Sequence, residues 1–120
     1  MLISCQSNFE PTMFASNSIT LINHASVLIK GVSKAILTDP WYWGDAFHQG
    51  WSLMHENTPT EIEDILNNTS FIWVSHEHPD HFSVPFFKRY SEKLRGRGVK
   101  IIFQATKDRR VKNFIDGEGL

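Results

Sequence analysis

The stretch that decides the fold joins an apolar run to a cluster of ionisable side chains, Phe71-Ile72-Trp73-Val74-Ser75-His76-Glu77-His78-Pro79-Asp80-His81. Its apolar start is typical of a buried strand. Imidazole and carboxylate are ligands that zinc and similar divalent metals prefer, and no cysteine lies nearby. Side chains two apart in an extended segment point the same way, so His76, His78 and Asp80 can share one face while His81 reaches across. We predict a metal site at these four residues, the alternative being a solvated, histidine-rich turn.

Composition is that of an ordinary globular chain. The protein has 120 residues, 41% hydrophobic and 21% charged, enough for one domain with a real core. A net charge of −1 argues against a surface devoted to nucleic acid or an anionic membrane. The single cysteine, Cys5, excludes an internal disulfide framework, and no apolar run approaches the roughly 18 residues of a membrane-spanning helix. We therefore expect a cytoplasmic protein with a small-molecule substrate, no nucleic-acid partner and no membrane span.

The first third of the chain predicts a lead-in followed by a small sheet. Residues 1–17 are polar and lack a clear period, so we expect the domain to cover residues 18–120. Three short strands are predicted, the last two forming a hairpin: Ile19–Ile22, Val27–Ile29 and Ala35–Leu37. Pro40 stops the third strand and leaves Asp39 at its carboxyl end. Asp39 is there either a site residue or part of a plain Asp-Pro turn.

Residues 40–57 form a long loop rich in aromatic side chains. Three of the four tryptophans lie there, together with two histidines. Loops of this length are usually functional or disordered, and aromatic richness argues against disorder. We interpret the loop as a pocket wall over the metal site, with Trp41, Trp51 and His55 as candidate substrate-binding residues. The alternative is that its rings simply cover the core.

The rest of the chain alternates helices and strands. Thr58-Pro59-Thr60-Glu61 is a capping box that starts a helix, and Ser83 can cap a second one. We expect that helix to be broken by Gly96 and Gly98, followed by a strand at Val99–Phe103 and a last helix from Thr106 to about Phe114. Successive strand–helix–strand units imply an α/β fold with some parallel strands. The basic residues of the last quarter suit a solvated face, with a phosphate contact as the alternative.

The histidine cluster resembles the metallo-β-lactamase fold superfamily. The superfamily's His-x-His-x-Asp-His pattern stands here as His76, His78, Asp80 and His81. The segments His24–Ile29 and Leu37–Pro40 look like the opening strands of the branch of ascorbate-phosphate lactonases and N-acyl-phosphatidylethanolamine phospholipase D. The stretch from Asp39 to Glu56 is most similar to the lactamase-like domain of the CMP-N-acetylneuraminate hydroxylases.

This resemblance implies a fold, a cofactor and residue roles. The superfamily fold is a four-layer αβ/βα sandwich about twice this length, so the chain is expected to be its N-terminal half. The complete site holds two zinc ions, with iron or manganese as alternatives. His76 and His78 would bind one metal and Asp80 and His81 the second, with Asp80 also moving a proton. Asp39 would lie beneath the site and orient its ligands.

Three functions follow from the resemblance. The first is a metal-dependent hydrolase in which metal-activated water attacks an ester, lactone or phosphodiester. These 120 residues alone are not expected to be active, because the resemblance places further metal ligands in the later half of the fold. The second is a non-catalytic metal-binding fragment whose bare sheet face would drive homodimerisation or aggregation. The third is a hydroxylase-like component acting on a nucleotide or amino sugar with separate redox partners, since one cysteine cannot build a Rieske centre.

Overall fold

The structure is a computed structural model that describes residues 14–120. Five strands and three helices lie in this part of the chain. The strands are β1 (Ser18–Asn23), β2 (Ser26–Lys30), β3 (Ala35–Thr38), β4 (Phe71–Val74) and β5 (Lys100–Phe103). The helices are α1 (Pro59–Asn68), between β3 and β4, α2 (Val84–Arg97), between β4 and β5, and α3 (Arg110–Gly117), after β5.

The strands form one mixed sheet in the order β1-β2-β3-β4-β5. The predicted hairpin is confirmed: β2 and β3 pair antiparallel, with Leu28 opposite Leu37, and Gly31 N–H donates to Lys34 O at 2.8 Å in the turn. β4 lies parallel to β3 and β5, because α1 and α2 carry the chain back to the same starting edge. The carboxyl ends of β3 and β4 are therefore neighbours, which places Asp39 beside the histidine cluster.

The helices cover one face of the sheet and build the core there. Leu28, Leu37 and Ile72 are fully buried on the central strands, and Ile65, Leu66 and Phe86 pack over them from α1 and α2. Spacing of three and four along the helices puts these apolar residues on one side. The capping box is confirmed: Glu61 N–H donates to Thr58 Oγ1 at 3.1 Å and Thr58 N–H donates to Glu61 Oε2 at 3.0 Å.

Two predicted helix boundaries were wrong. Gly96 does not break α2, which continues to Arg97 and ends at Gly98, where φ is 68° and glycine has no Cβ to oppose that backbone. The last helix begins at Arg110 rather than Thr106, because the carboxylate of Asp108 accepts the Arg110 backbone N–H at 2.9 Å and fixes the entry turn. That helix then runs three residues past the predicted end.

The predicted lead-in falls mostly outside the described residues. Its last part is described, and Phe14 is only 2% exposed and belongs to the core cluster. Its backbone oxygen accepts a hydrogen bond from the Lys30 ammonium at 3.1 Å. The packed region therefore includes residues that we assigned to the lead-in. Within residues 14–120 there is no helix long and apolar enough to cross a membrane.

The second face of the sheet carries apolar side chains that no described element covers. We call the following residues the open sheet face: Ile19, Leu21, Val27, Ile29, Ile36, Thr38, Phe71, Trp73, Lys100 and Ile102. Ile19 and Leu21 are 74% and 70% exposed, unusually high for apolar residues in a strand. Contiguous apolar surface of this kind marks an interface.

Tyr42 anchors the long loop to the sheet through a buried hydrogen bond. Its hydroxyl lies 2.6 Å from Ser26 Oγ, and both residues are fully buried. Burial raises the pKa of the Tyr42 phenol far above its ordinary value, with the Ser26 contact opposing the shift. A group whose pKa is raised in the folded state stabilises the protein at pH values below its pKa in the unfolded chain. This contribution is lost as the pH rises above the pKa of the unfolded chain.

We therefore expect the stability of the protein to fall above about pH 10, where Tyr42 ionises in the unfolded chain. This group alone contributes a slope of about 1.4 kcal/mol per pH unit. Urea unfolding at pH 9 and pH 11 checks it, with Tyr42→Phe as the matched variant. Tyr42→Phe should lose about 1 kcal/mol at pH 9, because Ser26 is left without its partner, and should depend less on pH. Equal pH slopes in the two proteins would contradict the expectation.

Candidate metal centre

The candidate centre lies at the carboxyl ends of β3 and β4. Asp39 follows β3 directly, and its backbone N–H still donates to Trp73 O at 2.9 Å. The cluster from Ser75 to His81 leaves β4 beside it and is closed by a turn in which the backbone N–H groups of His81 and Phe82 donate to His78 O. The turn between β1 and β2 brings His24 to the same edge. Three separate chain segments thus meet at one place.

Asp39 is the hydrogen-bond acceptor that organises the cluster. It accepts the Ser75 backbone N–H at Oδ1 and the Ser75 hydroxyl at Oδ2, both at 2.7 Å. His81 Nδ1 lies 2.9 Å from the same Oδ2. Asp39 is 6% exposed, so these contacts satisfy a buried carboxylate. The plain Asp-Pro turn does not account for them.

These contacts set which ring nitrogens of two histidines are free. His81 donates from Nδ1 to Asp39, which leaves the Nε2 lone pair of the neutral ring for a metal ion. Ser75 donates its hydroxyl proton to Asp39 and therefore accepts from His76 Nδ1, at 2.9 Å. A carboxylate or hydroxyl behind a ring nitrogen is the usual support of a metal-binding imidazole. Sequence reasoning did not single out Ser75, although its place before His76 was visible.

Asp80 is a buried carboxylate with unmet hydrogen-bonding capacity. It is 6% exposed, and its Oδ1 has no hydrogen-bond partner within residues 14–120. Its Oδ2 lies 3.0 Å from His24 Nε2 and 3.3 Å from His81 Nε2. A buried anionic oxygen without a partner is costly unless a ligand satisfies it. The surroundings of Asp80 fit a bound cation.

One group of three residues in the described chain has the spacing of a metal site, and it comprises His24, Asp80 and His81. One ligand atom from each lies within 4.8 Å of the others. Two of our four predicted ligands are in this group, and His24 is an addition that the sequence analysis left without a role. Its presence in the segment that resembles a superfamily opening strand was the available signal.

His76 and His78 lie next to this group without joining it. The ring of His76 is 4.2 Å from that of His81 and 4.6 Å from that of His78, measured between centroids. The His78 side chain is 57% exposed and faces the Phe47 ring at 5.8 Å. Their role as ligands of a metal stays a prediction.

The aromatic loop contributes both to the core and to the wall of the site. Trp41 is 2% exposed and its ring stands edge-on to His24 at 5.2 Å, whereas Trp51 is 55% exposed at 6.3 Å from His24. Their predicted contact with a substrate remains untested. His55 is exposed, and its backbone oxygen accepts from the Asn23 side chain at 2.7 Å.

A cleft of about 480 Å³ opens beside the histidine cluster. Its apolar wall comes from the aromatic loop, the cluster and two helices, including Trp41, Trp43, Pro79, Phe82 and Phe114. Glu77 and Arg110 lie at its rim, with Arg110 Nη2 3.3 Å from Glu77 Oε1. The size and lining suit a small organic molecule. Several basic residues of the last quarter, Arg110 and Lys112 among them, are in ion pairs with neighbouring carboxylates.

Comparison with known proteins identifies the family. Residues 18–117 match the model of the β-lactamase superfamily domain, and the chain belongs to that family. A crystal structure of a possible metal-dependent hydrolase from Veillonella parvula matches 78% of the chain with a TM-score of 0.50, at 19% identity. The match covers 45% of that structure, so the described fold is part of a metallo-β-lactamase-like fold.

Curated relatives are cytidine monophosphate-N-acetylneuraminic acid hydroxylases. The chain is 35% identical to the protein of Xenopus laevis over 85% of its length and 37% identical to that of Danio rerio over 63%. It is 39% identical over 73% to a human protein described as an inactive hydroxylase of this kind. The chain spans only 13% to 17% of the length of these relatives.

Proposed function

We propose that this domain belongs to a metal-dependent hydrolase that cleaves an ester, lactone or phosphodiester bond with metal-activated water. The observation that carries the proposal is the unpartnered Oδ1 of buried Asp80, next to an imidazole whose Nδ1 is held by Asp39. A buried carboxylate and an imidazole fixed in this way suit zinc, with iron or manganese as alternatives. Metal would be held by Asp80 and His81, with His76 and His78 beside them.

Bound zinc would supply a water molecule that ionises near neutral pH. Asp39 holds the His81 ring in one orientation and fixes the proton on Nδ1. Asp80 would bind the metal and would also take a proton from the attacking water and return it to the leaving group. Trp41, Trp51 and His55 would bind the substrate, with the rings excluding bulk water.

A purified chain tests this proposal in two steps. Metal analysis after gel filtration should find zinc bound, and EDTA should remove it. Zinc binding is then compared with that of Asp80→Ala, which we expect to lose it. Turnover of a p-nitrophenyl ester, a lactone and bis-p-nitrophenyl phosphate is assayed in a longer protein that carries this domain together with the later half of the fold, because the 120 residues alone are not expected to be active. A longer protein that binds zinc and hydrolyses none of the three contradicts the hydrolase.

A second candidate rests on the relatives. Their names describe hydroxylation of a nucleotide sugar, so this domain would bind such a sugar while separate redox proteins supply electrons. The cleft next to the cluster is large enough for part of such a molecule. Titration calorimetry with CMP-N-acetylneuraminate distinguishes the candidates, because binding without hydrolysis favours this one.

A further inference from the structure

We infer that His24 is a positioning residue that holds the Asp80 carboxylate through Oδ2 and so leaves Oδ1 free to bind a metal. The inference rests on the proposed metal site and assigns a role to a residue outside the His-x-His-x-Asp-His pattern. His24 comes from the β1–β2 turn, more than fifty positions before Asp80 in the chain, yet its Nε2 lies 3.0 Å from Oδ2. An ionised carboxylate only accepts hydrogen bonds, so His24 donates from Nε2.

The two oxygens of Asp80 have different surroundings. Oδ2 has two imidazole nitrogens near it, those of His24 and His81, while Oδ1 has no partner in the described chain although it is buried. A carboxylate without a hydrogen bond can turn about its Cβ–Cγ bond. The bond from His24 holds the plane of the carboxylate, because turning it partly away would leave a second buried oxygen without a partner.

The rings of His81 and His24 differ in the hydrogen bonding of the nitrogen that faces away from Asp80. This difference distinguishes a metal ligand from a positioning residue. His81 Nδ1 is held by the buried carboxylate of Asp39, as expected for an imidazole that binds metal through Nε2. The contacts found for the His24 ring are its bond to Asp80 and three neighbouring rings. His24 therefore has a hydrogen bond to Asp80. Its other ring nitrogen has no hydrogen-bond partner within residues 14–120, whereas that of His81 is bonded to Asp39.

The turn that carries His24 is fixed on both sides. Thr38 Oγ1 donates to Ala25 O and accepts the Val27 N–H, both at 2.9 Å. The Asn23 side chain donates to His55 O and to Asn57 Oδ1, which joins the turn to the aromatic loop. These contacts hold the ring where it meets Asp80.

His24 also has a left-handed backbone, with φ of 49°. Such a conformation is unfavourable for a residue other than glycine, and it persists where the surroundings enforce it, often at functional sites. Asparagine tolerates this backbone well. The variant His24→Asn should therefore keep the conformation of the turn while shortening the side chain.

The experiment compares His24→Gln with His24→Asn. The glutamine amide nitrogen can occupy about the place of Nε2 and donate to Asp80, whereas the asparagine amide is too short but suits the left-handed turn. Zinc and cobalt affinities are measured by competition titration, and the cobalt absorption spectrum reports the ligands. We expect His24→Asn to bind about 10- to 100-fold more weakly, as for other residues that support a ligand, and His24→Gln to recover most of that loss.

The cobalt spectrum should be the same in wild type and His24→Gln, because the ligand set does not change. Equal affinity in wild type and His24→Asn would overturn the inference. So would a glutamine variant that loses affinity as His24→Asn does and has an altered spectrum, since His24 would then be a ligand. If the wild type binds no metal, the proposed function fails instead. Unfolding midpoints confirm that both variants are folded.

Discussion

Asp80→Asn should abolish tight metal binding while leaving the metal-free protein at least as stable as the wild type. The amide keeps the size of the side chain and an oxygen that can accept from His24, but it removes the negative charge. A neutral amide is a poor zinc ligand, so we expect the zinc affinity to fall by more than about 100-fold, which corresponds to about 2.7 kcal/mol.

Stability should move in the opposite direction because the carboxylate is buried. Asp80 is 6% exposed, and one of its oxygens has no partner in the described chain. A buried charge without a full set of partners destabilises the fold, and a bound metal would offset this cost. Because Asp80→Asn removes the charge, we expect the free energy of unfolding to rise by up to about 1 kcal/mol in the absence of metal. Urea unfolding in EDTA measures this difference, and competition titration measures the affinity.

Asp116→Asn is the matched control. Asp116 lies on α3 with 57% of its side chain exposed and pairs with Lys112, so the same chemical change there should leave zinc binding unaltered. If Asp80→Asn bound zinc as tightly as this control, the candidate centre would be wrong. A large loss of stability in EDTA would show instead that Asp80 is a structural carboxylate.

The sequence predicted the sheet and the position of the cluster because both depend on local patterns. The capping box at Thr58, the hairpin around residues 31–34 and the apolar run of β4 each specify a local structure with little help from distant residues. Parallel pairing of β3 with β4 then follows from the helix between them. Asp39 was predictable as a neighbour of the histidines for the same reason.

His24 was not predictable from pattern alone. Its contact to Asp80 depends on the path of the β1–β2 turn across the sheet edge, and β1 has an irregular register between Leu21 and Asn23, just before that turn. The start of α3 was missed because the segment before Arg110 forms a turn in which the Asp108 carboxylate accepts the Arg110 backbone N–H, and the N-cap residue Arg109 has no side-chain cap. Long-range contacts and local turn contacts of this kind are the parts of the fold that spacing does not encode.

The open sheet face should make the chain associate with a second copy of itself. Its exposed apolar residues lie on adjacent strands, and Lys100 is its one charged member. A face with so little charge is complementary to its own copy, and two such sheets pack face to face at about 10 Å. Five strands of four to six residues give a flat area of roughly 350 Å². This is small for a stable homodimer, so we expect a dissociation constant in the micromolar range.

Leu21→Lys should convert this dimer to a monomer. Leu21 is 70% exposed and near one end of the face, so a lysine there costs the isolated chain little. In a two-fold interface the substitution occurs twice, and two ammonium groups would lose water against apolar surface. We expect dimerisation to weaken by at least about 100-fold, measured by sedimentation equilibrium from 1 to 200 µM.

Val32→Lys provides the control, because Val32 is 79% exposed in the turn between β2 and β3 and is not part of the open sheet face. Val32→Lys should dimerise like the wild type, which separates the effect of this face from that of added charge. If the wild-type chain stays monomeric at 200 µM, the prediction of a homodimer is wrong. In that case we expect a different polypeptide segment to cover the apolar side chains of β1 and β2, and Leu21→Lys to weaken the binding of that segment instead.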